Sequence, residues 1–304
     1  MMKLRRKEGV VLALLALYSL VFAWIFIGMG PYLSIADIND TAEINTTVNI
    51  TNSAPEVREV FLPTTISLEA YGNRTVQCNV TVYDYDNNVD RVNATLYYYL
   101  NNSNDQDDNN VHYSNASCVN VTGDGVARNF TCTFSVAFYA NNGTWYCNAT
   151  AADDYDATGD NRSNAAIVNS LVAIYVPGII DFGEMTKGDI TITPVEANLT
   201  NAGNRRINIS VEGWGESKAD GLAMNCTYGN IARQYEKYNI TSEPYTSMYE
   251  LQTSPTMIPD FYILKRTSAS SDSTNKTYWR LEIPSGAGGI CTGKVLFTAS
   301  DYSG

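Results

Sequence analysis

Histidine is almost missing: the chain of 304 residues has one, His112. Its six cysteines form no C-x-x-C pair, and there is no G-x-S-x-G, H-E-x-x-H or P-loop. Ser-His-Asp hydrolysis, zinc chemistry and thioredoxin-type redox exchange therefore lack their usual residues. His112 sits in a polar stretch, NNVHYSNAS, which reads as a loop with no apolar scaffold to hold a base. Ser273 and Lys276 make an S-x-x-K match, but inside a Ser/Thr-rich loop where coincidence explains it. A carboxylate pair needs no local motif, so a secreted carbohydrate-active enzyme stands as one alternative function.

Clustered positive charge is also missing beyond the first residues. Lys3, Arg5, Arg6 and Lys7 outweigh Glu8, while the whole chain carries −12. Phosphate backbones need grouped Lys and Arg, so nucleic acid is excluded as a partner.

A long uncharged run is present at the N-terminus. Val10–Met29 reads VVLALLALYSLVFAWIFIGM. Twenty residues at about 1.5 Å each span a ~30 Å hydrocarbon core, longer than the about 7–15 apolar residues of a cleaved signal. The basic residues precede it, so the positive-inside rule keeps residues 1–9 in the cytoplasm and exports the chain beyond residue 30. Residues 10–30 are thus expected to be a transmembrane signal-anchor in the lipid bilayer, with Trp24, Phe26 and Tyr32 at the interfaces. Cleavage after Ser34-Ile-Ala36 would instead release the ectodomain. Gly9, which ends the basic leader, resembles the processing site of archaeal type IV pilin-like precursors, which would make the chain a filament subunit processed there.

After residue 30 no sustained 3.6-residue periodicity occurs. Short alternating runs broken by Gly, Asn, Asp and Pro predict an all-β chain of sandwich type. Residues 31–53 read as a polar extracellular stalk, 54–168 as one sandwich and 169–304 as a second.

Random placement would put roughly 5 of the 31 asparagines in an N-x-S/T acceptor pattern. The sequence holds 18: Asn39, Asn45, Asn49, Asn73, Asn79, Asn93, Asn101, Asn115, Asn120, Asn129, Asn142, Asn148, Asn161, Asn198, Asn208, Asn225, Asn239 and Asn275. None falls in the leader or the apolar run. A glycan must face water, and period-two geometry lets the strands be checked against that. In TVQCNVTV, Val76, Cys78, Val80 and Val82 share the face opposite Asn79. In FTCTFSVAF, Phe130, Cys132, Phe134, Val136 and Phe138 point inward and Asn129 outward. In TWYCNATA, Trp145, Cys147, Ala149 and Ala151 oppose Asn148. In VEANLTNAGNRRINISV, Asn198 and Asn208 likewise oppose the apolar set.

Six cysteines in an exported chain imply disulfides. Cys78 and Cys147 both face inward, 69 positions apart, near the spacing of the inter-sheet bridge of immunoglobulin domains. Cys118 then pairs with Cys132, a closure worth about 3 kcal/mol. Cys118 shares a face with Asn120, so this pair requires a bulge or a loop position. Cys226 with Cys291 is the pair left by elimination.

The candidate metal site is DYDNNVD, where Asp84, Asp86, Asn88 and Asp90 recur at every second position, as in a calcium loop. Asp154 and Asp156 in DDYDATGD would converge on it if both turns lie at one end of the sandwich. The EF-hand pattern is not met, with Val89 and Thr95 at its glycine and glutamate positions, and solvated Asp/Asn turns are the competing reading. No cofactor is required, and calcium is the one candidate. Among 21 tyrosines, Tyr97, Tyr98 and Tyr99 are consecutive; the outer face of residues 91–100 is the first candidate partner surface.

The stretches APEV, TVQCNVTVYD, VNATLYYYL and FTCTFSVAFYANNGTWYCNATAAD resemble the Ig-like β-sandwich modules of archaeal cell-surface proteins, in particular Asn/Thr-rich, helix-anchored ones from small-genome archaea. IIDFGEM, VEANLTNAGNRRINISVEG and YWRLEIPSGAGGICTGKVLFTAS resemble their second module. The resemblance implies two tandem Ig-like β-sandwiches after one N-terminal transmembrane helix, and a cell-surface protein without catalytic residues. The resemblance leaves the task open; with no enzyme motif in the chain, the expected role is structural, adhesive or interaction-based, toward an unidentified extracellular protein or glycan.

Overall fold

The computed structural model describes residues 43–302. The expected transmembrane helix and leader lie outside the described residues. Residues 43–50 are exposed and carry no regular structure. No helix among the described residues is long and apolar enough to cross a membrane. Thr51–Gly304 forms one compact unit, all-β apart from two single 3-10 turns.

Ten strands surround the first core. They are β1 (Glu56–Phe61), β2 (Thr65–Ile66), β3 (Asn73–Tyr83), β4 (Val89–Tyr98) and β5 (His112–Asn115). Then come β6 (Val119–Asn120), β7 (Ala127–Ala137), β8 (Gly143–Asp153), β9 (Thr158–Arg162) and β10 (Ala166–Val168). One sheet runs β1-β3-β7-β6 and the other β2-β10-β8-β4-β5, with β9 also on β8. Strands β9 and β10 lie end to end along β8, since Arg162 faces Asn148 and Ala166 faces Trp145. Between them, Ser163 bonds Cys147 twice: its N–H donates to the Cys147 carbonyl, and its Oγ accepts the Cys147 N–H.

Alternation builds this core. Val76, Cys78, Val80 and Val82 of β3 meet Phe130, Cys132, Phe134 and Val136 of β7, and all are buried. Against them the other sheet sets Val92, Ala94 and Leu96 of β4 with Trp145, Cys147, Ala149 and Ala151 of β8. Trp145 is wholly buried, and its Nε1 donates to the Asn141 carbonyl at 2.7 Å. Cys78–Cys147 crosses between the sheets. Cys118–Cys132 closes the shorter loop, and Cys118 occupies a loop position just before β6, which frees it from the facing of Asn120.

The second half comprises β11 (Ile174–Tyr175), β12 (Val195–Asn201), β13 (Ile207–Trp214), β14 (Leu222–Tyr228), β15 (Asn230–Ala232) and β16 (Glu236–Asn239). It continues with β17 (Tyr249–Glu250), β18 (Thr256–Ile263), β19 (Thr274–Leu281), β20 (Gly288–Thr292) and β21 (Lys294–Asp301). Here the architecture differs from a plain two-sheet sandwich. Three sheets form: β11-β12-β19-β16-β17, β18-β13-β21 and β15-β14-β20. Cys226 and Cys291 face each other on neighbouring strands β14 and β20, so their disulfide ties one small sheet together and does not bridge opposed sheets. A second core gathers around the buried Trp279, whose ring lies 5.3 Å from Tyr238 and 5.9 Å from Phe297.

The two cores meet at a polar joint. Asn204 is buried; its Nδ2 donates to the carbonyls of Ala140 and Asn169, and its Oδ1 accepts the Leu171 N–H at 2.7 Å. Lys265 Nζ donates to Asn110 Oδ1, the Tyr139 carbonyl and Asn141 Oδ1, three acceptors for three donors. Burial pulls its ammonium down to about 8. Tyr71 stacks on Phe138 and Tyr175 and donates its N–H to the Ala202 carbonyl. A Cβ on Gly203 would stand 2.1 Å from the Leu171 carbonyl oxygen, so only glycine permits this approach.

This packing sets two expected outcomes. Asn204→Ala leaves two carbonyls and an N–H of the joint without these partners, and at about 1–3 kcal/mol for a buried orphan it should lower stability by roughly 3 kcal/mol in urea unfolding. Burial alone pushes Glu236 up to about 8, so the folded chain holds a proton there that the unfolded chain releases above its ordinary value. That contribution is complete below about 4.5 and is lost as pH rises through 8. Glu236→Gln should flatten stability across this window and raise the melting temperature at pH 8 by about 5 °C.

Candidate functional site

The outer faces of the first sandwich carry sequons in a regular arrangement. On β3 and β7, Asn79 lies opposite Thr131 and Thr81 opposite Asn129. Each threonine hydroxyl donates to the asparagine Oδ1 of the other sequon, at 2.9 Å from Thr81 and 3.0 Å from Thr131. The opposite sheet repeats the register on β4 and β8: Asn93 faces Thr150, and Thr95 faces Asn148. Antiparallel pairing of two N-x-T triplets generates this crossing, because residues on one face pair in reversed order. In the first pair Oδ1 accepts, which leaves Nδ2, the atom a glycan would occupy, outside that bond.

Of the 18 sequon asparagines, Asn39 lies outside the described residues, and none of the other 17 is buried. The buried asparagines among the described residues are Asn110, Asn201 and Asn204, none of them in a sequon. Sequon amides differ in their duties. Asn161 Nδ2 donates to the Val57 and Arg58 carbonyls, Asn115 Nδ2 to Thr133 and Asn120 Nδ2 to Gly123.

The two acidic turns do lie side by side: the Asp154 N–H donates to the Asn88 carbonyl. All of the candidate carboxylates except that of Asp154 are engaged locally. Asp84 is buried and accepts the N–H groups of Asp86 and Asn88. Asp86 accepts both the N–H and the hydroxyl of Ser53. Asp90 and Asp156 both pair with Arg91, and Asp154 is exposed. Asp153, the first acid of DDYDATGD, accepts from Asn52, Tyr155 and Ala157. Burial pushes its carboxyl up, but those donors outweigh it and hold it below the ordinary range. Asn88 Oδ1 is buried without a partner. Among the described residues no group of three or more His, Cys, Asp or Glu is placed to hold a metal ion.

His112 is not in an unsupported loop. It lies on β5, fully buried, with Nδ1 at 3.0 Å from Asp107 Oδ1 and Nε2 at 3.1 Å from the Ser103 carbonyl. Residues 101–109, the polar and acidic stretch NNSNDQDDN, supply both partners. Of the three consecutive tyrosines, Tyr97 is buried beside Tyr146, Tyr98 packs toward the core and Tyr99 is half exposed. The outer face of residues 91–100 therefore offers a partner Asn93 and Tyr99 rather than an open aromatic strip.

Sequence reading missed one feature altogether. A cavity of about 630 Å³ opens beside the joint, lined by Arg205, Arg206, Lys265 and Arg266 among others. Arg205 pairs with Asp301 and Arg266 with Asp272. The Arg206 guanidinium lies 3.7 Å from the Tyr262 ring centroid and 3.4 Å from that of Tyr302. The available signal was two basic dipeptides, Arg205-Arg206 and Lys265-Arg266, which only the fold brings together.

Three disulfides point to an extracellular or secreted protein. No family model matches the chain, and no curated protein matches it. Among solved structures it is similar to a chain from a chaperone–tip adhesin complex of CFA/I fimbriae biogenesis, at 10% identity, 82% coverage of this chain, 84% of that one and a TM-score of 0.30. It is also similar to a DUF4466 family protein from Parabacteroides merdae, at 7% identity, 76% and 100% coverage and a TM-score of 0.26. At such scores neither likeness bears on what the chain does.

Proposed function

We propose that the chain is a membrane-anchored, N-glycosylated surface protein with a non-enzymatic, structural or adhesive role. Exclusion of every described sequon asparagine from the interior carries the reading, since the buried asparagines are the ones without acceptor patterns. The strand order supports an immunoglobulin-like first module: β3 and β8 stand where strands B and F carry the inter-sheet disulfide. The non-enzymatic part draws on His112, both of whose ring nitrogens are engaged by structural partners. The archaeal surface-protein kinship rests on the sequence resemblance. The acidic turns act as side-chain-to-backbone scaffolds at the end of the sandwich.

Peptide mass mapping of the native protein tests the main reading. It should find glycans at Asn79, Asn129, Asn93 and Asn148, low occupancy at Asn161, and an intact N-terminus; a chain starting at Val10 would instead mark a processed filament subunit. Unmodified asparagines throughout would remove glycosylation from the reading. For the turns, chelation of calcium should leave the melting temperature unchanged within about 1 °C. A drop of several degrees would assign a metal to Asp84 and its neighbours.

A further inference from the structure

The cavity beside the joint is cationic in a chain of net charge −12. Its lining holds four cations, Arg205, Arg206, Lys265 and Arg266, against two carboxylates, Asp272 and Asp301. Three of the cations are engaged. Asp301 and Asp272 take Arg205 and Arg266, and three oxygens of the first half take Lys265. Arg206 is left over. Tyr262 and Tyr302 cover its guanidinium, which fixes it by cation–π stacking without neutralising it. Its Nε is buried with no partner among the described residues.

A guanidinium placed against two tyrosine rings keeps its charge, and among the described residues no hydrogen bond or ion pair takes its Nη N–H donors. Those donors match the two oxygens of a carboxylate or phosphate. The remaining lining selects between them. Ser271, Ser273 and Thr267 supply hydroxyls, Asn142 an amide, and Tyr302 a ring. Hydroxyl and amide groups beside an aromatic face suit a ring bearing several hydroxyls of its own. At about 630 Å³ the cavity lies within the roughly 300–1,000 Å³ of small-ligand sites.

We propose that this cavity binds a carboxylate-bearing saccharide, with Arg206 as the anchor for the carboxylate. Such binding goes beyond the surface role and does not depend on the membrane anchor; it requires that Asn142, a sequon asparagine in the lining, carries no glycan.

Titration of the native protein with D-glucuronate, followed by calorimetry and ligand-observed NMR, tests it. Glucuronate should bind in the millimolar range or tighter and weaken as salt rises. D-glucose and the methyl ester of glucuronate, which lack the charge, should bind at least tenfold more weakly. Arg206→Gln should lose at least tenfold in affinity, and Arg206→Lys should recover only part of it. The comparison of charged and uncharged sugars on the native chain stands even if the variants fold poorly. Absence of glucuronate binding up to tens of millimolar, or equal binding of the methyl ester, would overturn the proposal. Inorganic phosphate binding as tightly as glucuronate would overturn its saccharide part and leave a general anion site.

Discussion

A side chain in a β-strand has two directions to point, and in the first sandwich both are claimed. The inner face must be dry enough to close over Trp145 and two disulfides. The outer face must leave its asparagines open to water on both sheets at once. Alternation by single residues satisfies both demands without conflict. A one-residue slip of β3 against β7 would exchange Cys78 for Asn79 at the core, and the disulfide to Cys147 forbids it. The cross-sheet bond thus fixes the outside of the molecule as firmly as the inside.

That constraint also explains which parts of the structure could be read from the sequence. The strands around 75–82, 130–138 and 144–151 announce themselves, because local alternation and burial are the same information. The six cysteines are joined in the expected pairs, Cys78–Cys147 from facing and spacing and the other two as what that pair leaves. Features made by long-range contact were hidden. His112 looks solvated in NNVHYSNAS, since its cover, the run 101–109, is itself polar and reveals nothing until it folds back. The second half splits into three sheets, in one of which the short, bulged strand β14 pairs with β15 on one edge and β20 on the other, and no period in the sequence records that. The cationic cavity draws on basic pairs far apart in the chain, so charge counting along the sequence dilutes it to nothing.

The joint between the halves is polar where an apolar contact would have been simpler. Asn204 and Lys265 are desolvated, and each regains its hydrogen bonds only in one geometry. Buried polar networks of this kind add little net stability but strongly disfavour alternatives, since any misalignment leaves several groups unpaired. Gly203 sharpens the selection by allowing the backbones to touch.

Tandem β-modules ordinarily keep a hinge, and a partner that grips two of them must first still it. Here the polar joint holds both halves in one compact unit, which disfavours such a hinge. A ligand or surface that engages both the first sandwich and the cavity beside the joint would meet them at one fixed spacing. The second contact would then form at a high effective concentration, with little loss of inter-module motion to set against it.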